Sequence, residues 1–185
     1  MTKALLIIDV QNAILSGKGT LERQPHIDAA LEETVARLSM LQVKARTAGV
    51  PVVLVQHDGD KDHRLAVGTH GWAIRDEIAP RESDVVVHKK SCDSFFETDL
   101  AKRLAERSAR HLIIGGCMSQ FCVDTTVRRA VTLGYDVTLV ADGHMTADSG
   151  SLPFPEIVAH HNETLDGFDA GRAKVSVCPA AEIAF

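Results

Sequence analysis

Cys122 lies in the segment Gly115-Gly116-Cys117-Met118-Ser119-Gln120-Phe121-Cys122-Val123-Asp124-Thr125-Thr126-Val127-Arg128-Arg129-Ala130, where a short apolar run stops and helical spacing begins. The run His111-Leu112-Ile113-Ile114 is too short for a helix and is closed by two glycines, which reads as a strand. Phe121, Val123, Val127 and Ala130 then mark one face of a helix. Free N–H groups at a helix start carry partial positive charge, so a thiol placed there is expected to ionise more readily than an ordinary cysteine. Cys122 is therefore a candidate nucleophile, provided a base and a cation reach it.

Two other strand ends carry such groups. Asp9 closes the apolar run Ala4-Leu5-Leu6-Ile7-Ile8, and Lys89 follows Val85-Val86-Val87. Open α/β sheets bind ligands at the carboxyl ends of their strands, so three strands deliver a carboxylate, an ammonium and a thiol to one edge. That set suits a proton acceptor, a charge that favours thiolate, and a nucleophile. Taken singly, Asp9 could cap a turn and Lys89 could be a solvated strand-end charge. Cys117 and Cys178 read as small core residues and Cys92 as a partly exposed one, while Thr125, Thr126 and Arg128 suit helix packing and surface charge.

The elements that must position these groups alternate strand and helix along the whole chain. After the first strand, a loop with Ser16, Gly17 and Gly19 leads to an amphipathic helix from about 27 to 48, its apolar face made by Ile27, Leu31, Val35, Leu38, Leu41 and Ala45. Pro51 opens a strand at Val52-Val53-Leu54-Val55, and residues 57–80 form a long irregular stretch that holds the single tryptophan, Trp72. The strand 85–87 is followed by a helix over 99–107, the strand near Leu112, and a helix from Cys122 to Leu133 capped by Gly134. A strand over 137–140, a helix over 153–165 and a strand over 174–177 complete the chain. Continuously apolar strands are buried on both faces. The expected fold is a Rossmann-like three-layer α/β/α sandwich around a six-stranded parallel sheet, with residues 1–185 forming a single domain.

Composition narrows the function classes. A chain of 185 residues can bury roughly two-thirds to three-quarters of its unfolded surface. Twenty Lys and Arg against 25 Asp and Glu give a net charge of −5, which argues against a nucleic-acid partner or an anionic membrane surface. Apolar runs are strand-sized, and Met1-Thr2-Lys3 leads directly into one, so neither a signal peptide nor a membrane span is expected. Four cysteines without Cys-x-x-Cys spacing fit a reducing, cytoplasmic setting.

Together the segments Ala4 to Asn12 (ALLIIDVQN), Val53 to Gly59 (VLVQHDG), Val85 to Thr98 (VVVHKKSCDSFFET), Gly115 to Ala130 and His160 to Asn162 (HHN) make the chain resemble the isochorismatase-like cysteine hydrolases, a family that includes nicotinamidases, N-carbamoylsarcosine amidase and isochorismatase. The resemblance implies that Asp9 is the general base, Lys89 the lysine of a catalytic triad and Cys122 the nucleophile. It selects Lys89 over Lys90 because the family places a phenylalanine six residues after its lysine, where Phe95 stands. It also implies a non-proline cis peptide between Cys117 and Met118 that turns backbone N–H groups towards a substrate carbonyl. Nicotinamidases in this family carry an Asp-x-His metal motif, which Gln56-His57-Asp58-Gly59-Asp60 lacks, so no metal and no cofactor are expected.

The activity implied is hydrolysis of a small molecule at an amide or ureido C–N bond through a Cys122 thioester. Cleavage of a vinyl ether is the alternative within the family, and a non-catalytic or redox-sensing protein is the alternative outside catalysis. Gln11, Asn12, His57, Trp72, Phe95 and Phe121 are the expected substrate-binding residues, whereas His160 and His161 read as structural. The family implies a homo-oligomer, and Trp72 would be buried at the subunit contact or over the ligand, or else packed onto its own sheet.

Overall fold

The computed structural model describes residues 2–185. Strands β1 (Lys3–Ile8), β2 (Val52–His57), β3 (Val85–Lys89), β4 (His111–Cys117), β5 (Asp136–Met145), β6 (Asp169–Ala170) and β7 (Ala173–Cys178) form one sheet in the order β3-β2-β1-β4-β5-β7-β6. Every neighbouring pair is parallel except β6 and β7. The six expected parallel strands are all present, and the sheet gains a seventh, antiparallel one. β6 has two residues, Asp169 and Ala170, turned back through Gly171 onto Ala173 and Lys174, and so short a strand has no hydropathy period to read.

Helices α1 (Gln24–Thr47), α2 (Leu100–Glu106), α3 (Asp124–Thr132) and α4 (Phe154–Leu165) cover the sheet. Alternate residues of β1 face opposite layers, as strand geometry requires. Leu5 and Ile7 pack with Ile27, Leu31, Val35, Leu38 and Leu41 of α1, while Ala4, Leu6 and Ile8 pack with Leu100 and Leu104 of α2 and Val127, Ala130 and Val131 of α3. The result is the three-layer sandwich. Among the described residues no helix is long and apolar enough to cross a membrane.

Two of the boundaries that differ from the sequence reading have identifiable reasons. α1 starts at Gln24 rather than near Ile27, with Pro25 in its first turn, where the missing N–H is harmless. β5 runs through Met145 rather than stopping at Val140. The small, polar stretch Ala141-Asp142-Gly143 hides the strand's pattern; it bulges between the Ile114–Leu139 and Gly116–His144 pairs, where a Cβ on Gly115 would lie 2.6 Å from the Gly143 carbonyl oxygen.

Strand order reverses direction between β1 and β4, and in such sheets the crevice at that switch point is where ligands sit. Asp9 follows β1 and Cys117 ends β4, so both lie at this crevice. Lys89 ends β3, with β2 between it and β1.

Candidate active site

At ordinary strand spacing, a group on β3 must span roughly 10 Å to reach β1 across β2, a distance suited to the long lysine side chain. Lys89 makes that reach. Its Nζ donates to Asp9 Oδ2 at 2.6 Å, to the Ser91 carbonyl at 2.9 Å and to Cys122 Sγ at 3.3 Å, using all three ammonium hydrogens. The Lys89 and Asp9 side chains are fully buried, and Cys122 is half-buried.

Asp9 leaves β1 in the left-handed backbone region, φ 52°, a conformation that aspartate tolerates better than most residues. Its N–H donates to Val55 O at 2.9 Å, which fixes the carboxylate against the end of β2. Asp9 Oδ1 is buried and has no hydrogen-bond partner among the described residues.

Gly116 sets the approach of β4 to β1. It has φ 124°, and a Cβ there would fall 2.1 Å from the Ile8 carbonyl oxygen, so only glycine fits. The next peptide but one, between Cys117 and Met118, is cis. Met118 N–H has no backbone acceptor among the described residues. Ser119–Val123 then form a wide, π-type turn whose Phe121 and Val123 N–H groups both donate to Met118 O, at 3.0 and 3.3 Å. Cys122 therefore sits in the turn that feeds α3 and not in the helix itself, two residues ahead of the expected geometry.

The charges in this site are tightly coupled. Burial pushes the Cys122 thiol up, the negative charge of Asp9 adds to that, and Lys89 opposes both. Burial and the charge of Asp9 thus work against the ready ionisation expected of a thiol at a helix start, and Lys89 works for it. Burial also raises Asp9, against the pull of Lys89. For Lys89 burial favours the neutral amine, but attraction to Asp9 and Cys122 prevails and its pKa is raised. One ammonium, one anion and one proton shared between the carboxylate and the thiol is the arrangement that these three shifts favour.

The other expected site residues fall into two groups. His57 ends β2 directly beside Lys89 in register; burial lowers its pKa, with Lys89 adding to that. Phe121 is in the Cys122 turn and 47 % exposed. These two border the site. Gln11 is completely buried and acts as a strut: its amide donates to His57 O at 3.0 Å and Trp72 O at 2.7 Å, and its oxygen accepts from His57 N–H at 2.9 Å. Asn12 donates to His70 O at 3.0 Å, tying down the same loop. Trp72 stacks on His88 with centroids 5.9 Å apart and donates from Nε1 to Asp58 at 2.8 Å, so it packs onto its own sheet edge. Phe95 stacks on Tyr135 at 5.8 Å, against the core cluster beneath α2 and α3.

Several contributors carried no readable signal. The Ser91 carbonyl is a backbone group and leaves no trace in residue type. Arg64, in the long loop, donates from Nε to Ile14 O at 3.1 Å. It forms no ion pair with a carboxylate among the described residues, and burial lowers its pKa while the nearby Cys122 opposes that. Beside Lys89 a cleft of about 360 Å³ is lined by Asp58, His88, Lys90, Ser91, Phe96 and Glu97. A second cavity of about 510 Å³ lies among Gln120, Ser149, Leu152, Glu156, Ile157, His160 and His161. Among the described residues no three His, Cys, Asp or Glu side chains are grouped to hold a metal ion.

The sequence matches the isochorismatase domain over residues 3–152. It is 36 % identical over 151 residues to a streptothricin hydrolase of Streptomyces noursei, covering 82 % of this chain and 52 % of that protein. The chain thus spans about half the length of that relative. It is 27 % identical over 168 residues to the ureidoacrylate amidohydrolase RutB of Rhizobium rhizogenes, covering 75 % of this chain and 68 % of that one. A crystal structure of an isochorismatase from Pseudomonas putida KT2440 superposes with a TM-score of 0.85 at 30 % identity, covering 98 % of this chain and 89 % of that one. A domain match that takes in Asp9, Lys89 and Cys122, joined to that superposition, places the chain in the isochorismatase family of hydrolases.

Proposed function

We propose that the protein is a cysteine amidohydrolase that cleaves an amide or ureido C–N bond of a small molecule. One observation carries the reading: Lys89 Nζ holds Asp9 and Cys122 at once, at 2.6 and 3.3 Å, with the two charged side chains buried and the thiol half-exposed. Moving the thiol proton to Asp9 leaves the net charge of the three groups unchanged. Lys89 then pairs with the thiolate instead of the carboxylate. The step avoids creating a new buried charge, which would be the costly alternative.

The Cys122 thiolate attacks the substrate carbonyl carbon, forming the C–S bond as the carbonyl π electrons move to oxygen. The N–H groups of Met118 and Cys122 receive that oxyanion, a contribution of about 3–4 kcal/mol per donor in comparable sites. Collapse re-forms the carbonyl and breaks the C–N bond, with protonated Asp9 giving its proton to the leaving nitrogen. Ionised Asp9 then takes a proton from water as it attacks the thioester, and the thiolate departs to recover that proton. The acid product and the resting Cys122 thiol result.

Vinyl-ether cleavage by acid catalysis has no use for a thiol bonded to the lysine, so the Cys122 contact favours the C–N bond. The ureidoacrylate amidohydrolase among the relatives supports the same direction. Ammonia or amine release from a panel of small amides and ureides tests the proposal: wild type is expected to turn over at least one, and Cys122→Ala none.

A homo-oligomer is part of this proposal; because Trp72 already stacks on His88 and donates to Asp58, the contact is assigned elsewhere. Phe96 and Phe121, 55 % and 47 % exposed on the two segments that flank Lys89 and Cys122, are the apolar groups that a second subunit would cover. Sedimentation equilibrium at micromolar concentration decides it, a 20 kDa species counting against assembly.

A further inference from the structure

Ser119 opens the turn that holds Cys122, and its hydroxyl is buried beyond the reach of any substrate. It lies 2.8 Å from Nδ1 of His144, a buried residue of β5 that pairs in register with Gly116. His144 Nε2 lies 2.9 Å from Asn162 Oδ1 on α4, and Asn162 Nδ2 donates to the Ala141 carbonyl at 3.0 Å. The hydrogens in this chain have only one consistent order. A carbonyl can only accept, so the Asn162 amide nitrogen faces Ala141 and its oxygen faces His144. His144 must then carry its proton on Nε2, which leaves Nδ1 as an acceptor for the Ser119 hydroxyl.

The three residues resemble a serine-hydrolase array in composition, but complete burial of Ser119 removes it as a nucleophile. What the array does hold is the turn. Ser119 O accepts from the Asp124 N–H that begins α3, and the preceding residue, Met118, is the acceptor for two further N–H groups of the turn. Fixing Ser119 therefore fixes both the Met118 peptide and Cys122. Resting on the reading of Cys122 as nucleophile, we infer that Ser119, His144 and Asn162 form a positioning relay that locks the nucleophile turn to β5 and α4 in its reactive geometry.

Burial holds the His144 pKa down to about 4, with Asn162 opposing, His161 of α4 adding to the shift, and Asp142 of its own strand opposing. From α1, Arg37 pairs with Asp142 at 3.2 Å and with Glu33 at 3.0 Å. Burial thus favours the neutral imidazole, the form in which the relay keeps this order. Protonation of Nδ1 would remove the acceptor that Ser119 uses.

The test follows kcat, KM and iodoacetamide alkylation of Cys122, mapped by mass spectrometry, together with thermal unfolding. Ser119→Ala is expected to lower kcat and the Cys122 alkylation rate by about tenfold each with KM nearly unchanged, because small misplacement of a reacting group is costly, and to lower the unfolding midpoint by a few degrees because the buried His144 Nδ1 loses its donor. Ser119→Thr restores the hydroxyl and should recover most of both rates. Asn162→Asp accepts the same Nε2 proton but stabilises imidazolium, so the acid limb of Cys122 alkylation should move to higher pH. Wild-type rates in Ser119→Ala, or a loss that Ser119→Thr does not rescue, would overturn the relay while leaving the nucleophile intact. Turnover by Cys122→Ala would overturn both.

Discussion

Gly116 and Ile8 approach so closely that the glycine Cα faces the Ile8 carbonyl with no room for a Cβ, which would lie 2.1 Å from that oxygen. This contact joins β1 to β4 one residue before Asp9 and six before Cys122, so it sets the distance between carboxylate and thiol. Gly116→Ala is expected to destabilise the fold by about 2–4 kcal/mol, combining the φ 124° backbone with the collision. Urea denaturation reads it, and a loss under about 0.5 kcal/mol would mean that the strands can part freely.

Cys122→Ala should abolish hydrolysis, whereas Cys92→Ala, Cys117→Ala and Cys178→Ala should retain most of it. Cys117 is fully buried at the end of β4, whereas Cys122 is half-exposed and is the thiol that Lys89 holds, at 3.3 Å. Steady-state rates of the four variants decide the matter; comparable loss in Cys117→Ala would relocate the nucleophile.

Removing the Lys89 ammonium should leave Asp9 buried without its partner, a change that typically costs about 3–5 kcal/mol. Lys89→Met should therefore unfold at a lower urea concentration, and Cys122 should lose its alkylation because no cation pairs with the thiolate. Lys90→Met should behave as wild type. A reversed pattern would mean that the second lysine serves the site.

Burial raises the Asp9 pKa, so the acid limb of kcat/KM should lie above the ordinary carboxylate range of about 4, activity falling as pH drops through it. A second consequence concerns stability. His144 has its folded-state pKa depressed from 6.5 to about 4, so its contribution is fully present above 6.5 and is lost as pH falls through that window, where the unfolded chain takes up the proton. Denaturation midpoints measured from pH 7 to 4 should fall more steeply in wild type than in His144→Gln.

Trp72→Ala should cost about 1–3 kcal/mol through loss of the His88 stack and the Asp58 hydrogen bond, without changing the state of assembly. Sedimentation and thermal unfolding of the variant separate the two effects. Dissociation of an oligomer by this substitution would place Trp72 at a subunit contact after all.

The strand and helix order was legible in the sequence because each strand is a continuous apolar run and each helix keeps its period, signals that depend only on neighbours along the chain. The same local signals, with the family resemblance, pointed to Asp9, Lys89 and Cys122, and the fold brings Lys89 within hydrogen-bonding distance of the other two. Tertiary structure decided everything that depends on distant segments meeting. It turned Gln11 into a strut for the ends of β2 and the long loop, sent Phe95 to Tyr135 and Trp72 to His88, and carried β5 past a bulge of small and polar residues to pair again at His144 and Met145. It also joined Ser119, His144 and Asn162, which lie on three different elements. Residue type fixes what a side chain can donate, accept or bury. Which partner satisfies it, and whether its charge is desolvated, is settled only when the sheet and its helices close around it, and for Cys122 that closure adds a burial that works against the ionisation expected at a helix start.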